Sequence, residues 1–272
     1  MLISSWKPIW TMTDILVQSA LERIVGTSSV QILQTMGSTL GYANLSEESL
    51  RNISKITYEK IDEANLSLFK HNLTALEKTF QEYLVAPNSS NDRLNYATSC
   101  SQEIIQYLKS LGKLEHEIFH LAASLRLNII LERIKLYQDR DEINNFANAV
   151  NEYVEHSKAL EKDWIDWHNS RFSELYSRPM IFMSSGQLIS ATDRVYFDID
   201  GVKNHLWSGD TIWGSNPYSV KDYDAKLKGK SRRKQIIDDE LIKLKREILE
   251  PANKVRQSWL QCKKQITVKD NL

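Results

Sequence analysis

Residues 116 to 120 read His-Glu-Ile-Phe-His. On a helix this spacing sets two imidazoles one turn apart on one face with a carboxylate beside them, which is how a zinc hydrolase ligates its metal and activates a water. In that chemistry His116 and His120 are the metal ligands and Glu117 is the general base. The extended form of the motif does not continue, because Ala123 and Arg126 stand where its glycine and third histidine would be. Glu142 and His156 are candidates for a third ligand, neither at a diagnostic spacing. The competing expectation is two histidines on the polar stripe of a buried helix, hydrogen-bonded to their neighbours.

Other chemistry is sparse. The sequence holds no Walker loop, no G-x-G-x-x-G and no G-x-S-x-G elbow. Asp198, Asp200 and Asp210 cluster near a turn without matching a calcium loop, and turn formation accounts for them. The basic run KLKGKSRRK, residues 226–234, suits phosphates or anionic head groups, but reads first as a solvated segment flanking a helix start. Cys100 and Cys262 have no metal or disulfide spacing and are expected as free thiols.

The element that carries His116 and His120 runs from Gly112 to Tyr137. Apolar residues cover most of its circumference, while His120, Ser124, Asn128 and Glu132 recur every four residues as a narrow polar stripe. A helix that is apolar nearly all round has to be surrounded. The remaining elements follow as its sheath: short helices over 9–25 and 28–36, a long helix from Ser46 to about Pro87, a loop at 87–92, and a helix over 92–111. In that last helix Leu94, Ala97, Ile104, Ile105 and Leu108 face inward. A further helix runs from about Asp141 to Tyr176, and a final one from about Gln235 to Cys262, bent at Pro251. Between these two, Asp200-Gly201 inside an alternating stretch predicts a β-hairpin over about 192–213. The expected fold is all-α: one helical-bundle domain, 1–272, with a small β-rich insertion at about 178–230.

Composition is that of an ordinary globular chain, 42% hydrophobic and 26% charged. Lys+Arg and Asp+Glu both number 35, so no global charge draws it to nucleic acid or to an anionic surface. No signal peptide is recognisable. Sequons begin at Asn44, Asn52, Asn65, Asn72 and Asn88, several on the expected long helix where glycans would be awkward. These features lead to the expectation of a soluble protein made in a bacterial cytoplasm.

AASLRLNIILERI, residues 122–134, resembles the buried central helix in the helical domain of the insecticidal three-domain crystal toxins, the delta-endotoxins. FQEYLVAPNSSN, residues 80–91, is similar to the end of that family's long helix. INNFANAVNEYVEHSKALEKDWIDWHNSRFSEL, residues 143–175, resembles the helix that follows its central one. The three pieces keep the family's order over about residues 45–176. The family's last helix is not recognisable in 235–262, and the hairpin at 192–213 has no counterpart there.

The resemblance implies a stand-alone pore-forming bundle that acts without catalysis or cofactor, with lipid membrane and self-oligomerisation as its partners. No nucleic acid and no small-molecule substrate are expected. The insertion candidates are Leu111, Ile118, Phe119, Ala122, Ala123, Leu125, Leu127 and Ile130. Two other functions stay open: a zinc metallopeptidase built on His116, Glu117 and His120, and a non-toxic helical scaffold.

Overall fold

The structure, a computed structural model, describes residues 91–110, 116–184, 187–208, 212–213 and 223–269, with isolated positions in 11–20 and 75–83. The helices expected at 9–25, 28–36 and 46–87 lie wholly or largely outside the described residues, as do Leu111, Asp210 and the side chains of Glu117 and Ile118.

The described elements are α1 (Asn91–Lys109), α2 (His116–Tyr137), α3 (Arg140–Ser170), β1 (Tyr176–Ser184), β2 (Gln187–Ile199), β3 (Val202–Ser208), β4 (Ile212–Trp213), α4 (Tyr223–Leu244), a π-helical turn (Lys245–Leu249) and α5 (Glu250–Lys269). They form an all-α bundle accompanied by a small antiparallel sheet. The chain divides into two compact units, one made of Met1–Asp163 with Arg246–Leu272 and the other of Trp164–Lys245.

In the first unit the core surrounds α2. Every side chain from Phe119 to Leu131 is buried, on all faces of the helix. Around it α1 contributes Leu94, Ala97, Ile104, Ile105 and Leu108, the inward face its spacing predicts. From α3 come Phe146, Val150, Tyr153, Val154 and Leu160, and from α5 Ala252, Val255, Trp259, Cys262 and Ile266. Neither Cys100 nor Cys262 forms a disulfide, and both are buried.

Local chemistry sets the turn between α2 and α3. Gln138 takes the left-handed conformation, φ 49°, and its N–H donates to the Ile134 carbonyl at 2.9 Å, which ends α2. Asp139 then caps α3 by accepting the Asp141 N–H at 3.0 Å, with Asp141 and Glu142 in a first turn that favours acids.

In the second unit β2 is the central strand, antiparallel to β1 along one edge and to β3 and β4 along the other. The predicted Asp200-Gly201 turn is present. Both residues have positive φ, 53° and 75°, and Ile199 pairs with Val202 across them. Val195 and Phe197 alternate inward, and Phe197 stacks on Phe172 with ring centroids 6.4 Å apart.

Three boundaries differ from the sequence reading. The helix expected to reach Tyr176 stops at Ser170, because Phe172 bridges to Ile199 and the Ser173 N–H donates to the Asp198 carbonyl at 2.9 Å. The apolar residue that continued the helical period belongs instead to the sheet. That sheet is also larger than a hairpin, since it begins with β1, an edge strand able to hold Pro179. Finally, α4 begins at Tyr223, so the basic run lies inside a helix and not ahead of one. Just ahead of Pro251, which lacks the N–H a regular helix would use, the chain takes a π-helical turn over Lys245–Leu249.

Candidate functional site

The helix period brings His116 and His120 together inside the first unit. Their ring centroids are 4.7 Å apart and both side chains are fully buried. Nδ1 of His120 donates to the His116 carbonyl, so the proton of the neutral imidazole sits on Nδ1 and Nε2 is the acceptor. Into Nε2, at 2.7 Å, the Ser157 hydroxyl of α3 donates. The same hydroxyl oxygen accepts from Nη1 of Arg256 on α5 at 3.0 Å, and Arg256 is in turn held by Glu161 at 2.6 Å.

Aromatic rings close the cluster. Trp259 stacks on His120, with centroids 5.4 Å apart and planes 14° apart, and its indole N–H donates to Ser124 Oγ at 3.0 Å. Tyr153 meets both Trp259 and Phe119 edge-on. One stripe residue further along α2, the Asn128 amide donates to the carbonyls of Leu16 and Ser124. Each of His120, Ser124 and Asn128 thus makes one hydrogen bond to another helix, to Ser157, Trp259 and Leu16 respectively.

Burial dominates the electrostatics. It lowers His120 to about 3, aided by the Arg256 and His156 charges and opposed by the bond to the His116 carbonyl. His116 is pushed down in the same way, by burial first and then by His120 and Arg256. Both are neutral imidazoles at neutral pH.

A hydroxyl donating to an imidazole whose other nitrogen is held by an acceptor is the pairing that an activated serine needs. Two features of its surroundings differ from that arrangement. Ser157 and His120 are both fully buried, and the Arg256 guanidinium draws on the lone pairs that a nucleophile would use.

The metal reading asks for free ring nitrogens, and both nitrogens of His120 are engaged by protein groups. Of the third-ligand candidates, Glu142 accepts from Arg133 at 2.9 Å and the His156 ring packs on Phe119 at 4.5 Å. Among the described residues no three His, Cys, Asp or Glu side chains converge as a metal set. In the sheet unit, Asp198 accepts from the Tyr176 hydroxyl at 2.7 Å and Asp200 pairs with Arg171 at 2.9 Å, which gives both aspartates structural partners.

Of the insertion candidates with described side chains, Phe119, Ala122, Ala123, Leu125, Leu127 and Ile130 are all buried. The sequence reading missed Ser157, Arg256 and Trp259 as partners of the histidines. The signal for two of them was a polar residue on an otherwise apolar face: Ser157 falls among Val150, Tyr153, Val154 and Leu160, and Arg256 among Ala252, Val255 and Trp259. No family model, no curated protein and no solved structure matches the chain.

Proposed function

We propose that the protein is a membrane-active, pore-forming bundle that keeps α2 sheathed in water and releases it into lipid, acting without catalysis, as its resemblance to the delta-endotoxin helical domain implies. The observation that supports this reading is the unbroken burial of α2 from Phe119 to Leu131. A helix apolar on most of its surface, whose thin polar stripe bonds to neighbouring helices, can exchange one sheath for another. Lipid covers the apolar side, while other copies or a lumen take the polar one.

No helix among the described residues is long and apolar enough to cross a membrane. The reading therefore requires an oligomer in which Arg126 and the stripe residues face a lumen or another helix. Release of an entrapped dye from vesicles of zwitterionic lipid, with and without anionic lipid, at neutral and at acidic pH, tests it. The full chain empties the vesicles. Vesicles that stay intact under all of these conditions remove the proposal.

A further inference from the structure

In a helical bundle, facing helices usually meet through apolar side chains. Over part of α2 the reverse holds. One face of α1 presents Asn95, Ser99, Gln102 and Gln106, one face of α3 presents Asn145 and Asn148, and with Arg126 of α2 they line a cleft of about 480 Å³. That volume is within the usual range for small-molecule sites.

Arg126 is 7% exposed, yet its acceptors among the described residues are all neutral: the Thr98 carbonyl at 2.8 Å, Ser101 Oγ at 3.0 Å, Gln102 Oε1 at 3.3 Å and the Tyr153 hydroxyl oxygen. The other charges at the cleft are balanced within the protein, Arg133 by Glu142 and Glu152 by Lys109. Among the described residues no carboxylate pairs with Arg126, and a buried charge without a counter-ion is costly, so the cleft suits a single negative charge from outside. The Tyr153 phenol also lines the cleft. Burial pushes it up to about 12 against the opposing pull of Arg126, so it remains a hydroxyl that can donate.

We propose that this cleft binds a small hydroxylated carboxylate, a sugar acid being the type. Arg126 takes the carboxylate through charge-assisted bonds. Asn95, Gln102, Gln106, Asn145 and Asn148, each carrying both donors and an acceptor, take the hydroxyls. A phosphate dianion brings more charge than the cleft neutralises, and an apolar ligand would strand the amides. The balanced overall composition gives no hint of such a site, because the charge that marks it is local. The proposal does not rest on the membrane reading.

Calorimetric titration of the full chain with D-galacturonate tests it, alongside D-galactose, acetate and inorganic phosphate as separate titrants. Saturable binding of galacturonate is expected, with each of the other three weaker by about tenfold or more, the scale of one charge-assisted hydrogen bond. Asn148 is exposed, so Asn148→Asp leaves the fold intact while placing a negative charge in the cleft, and it weakens galacturonate by about tenfold or more. Arg126→Gln does the same where its melting curve shows that it folds, and Asn148→Asp decides the matter where it does not. No saturable binding of galacturonate, equal binding of galactose, acetate or phosphate, or unchanged affinity in Asn148→Asp would overturn the proposal.

Discussion

The Ser157 hydroxyl and Nε2 of His120 lie 2.7 Å apart, and the hydroxyl is the donor. The direction is fixed from the far side of the ring, where Nδ1–H is committed to the His116 carbonyl. A neutral histidine is therefore built into the centre of the first unit, between an arginine-bound serine and a stacked indole.

Stability should fall on mild acidification. In the fold His120 is held at about 3, whereas in the unfolded chain it returns to about 6.5. Between those values the unfolded state binds the extra proton, so stability is full above about pH 6.5 and is lost as pH falls toward about 3, at roughly 1.4 kcal/mol per pH unit. His116 shifts in the same direction and adds to the slope. Urea unfolding from pH 7 to 5.5, above most of the range where ordinary carboxylates titrate, should lose about 1 kcal/mol from His120 alone and more with His116. A flat profile over that window would show that the imidazoles are not buried and neutral.

Ser157→Ala leaves Nε2 of His120 without its donor and removes one acceptor from Arg256. A buried acceptor left unsatisfied costs about 1–3 kcal/mol, and chemical denaturation should show a loss of that size. Because the replacement creates almost no cavity, a change below about 0.5 kcal/mol would mean that water or another group serves the same atoms.

In the sheet unit two glycines should fail for different reasons. Gly201 has open space around it but a φ of +75°, so Gly201→Ala should cost about 1 kcal/mol through backbone strain alone. At Gly229 a Cβ would lie 2.7 Å from Val195 Cγ1, so Gly229→Ala overpacks the contact of α4 with β2 and should cost about 1–3 kcal/mol. Adding Val195→Ala should recover part of the Gly229→Ala loss and none of the Gly201→Ala loss. Thermal melting of the two double variants separates the cases, and equal recovery in both would contradict this packing.

Much of this was legible in the chain. The apolar circumference of 116–137 required a sheath, and the inward face of α1 and the Asp200-Gly201 turn followed from period and turn chemistry. What escaped was non-local. Phe172 and Leu175 continue the helical period of α3, and only the isolated bridge from Phe172 to Ile199 of β2 shows that the helix has already ended. The basic run was read as solvated, and its described cations are indeed mostly exposed, but a charged exposed face does not distinguish a helix from the segment before one. For the histidines, spacing placed them correctly on one face. It could not reveal that Ser157, 37 residues away, or Arg256, on another helix, would occupy the positions a metal or water needs.

The central claim is that α2 exchanges its protein sheath for lipid. A carbene-generating photoreactive lipid, incorporated in vesicles and activated after addition of the full chain, tests this without altering a residue, since peptide mass spectrometry then locates the adducts. The account predicts adducts within residues 119–131, which are buried in the bundle in water. Adducts confined to other segments, or none at all on protein recovered with the vesicles, would contradict it.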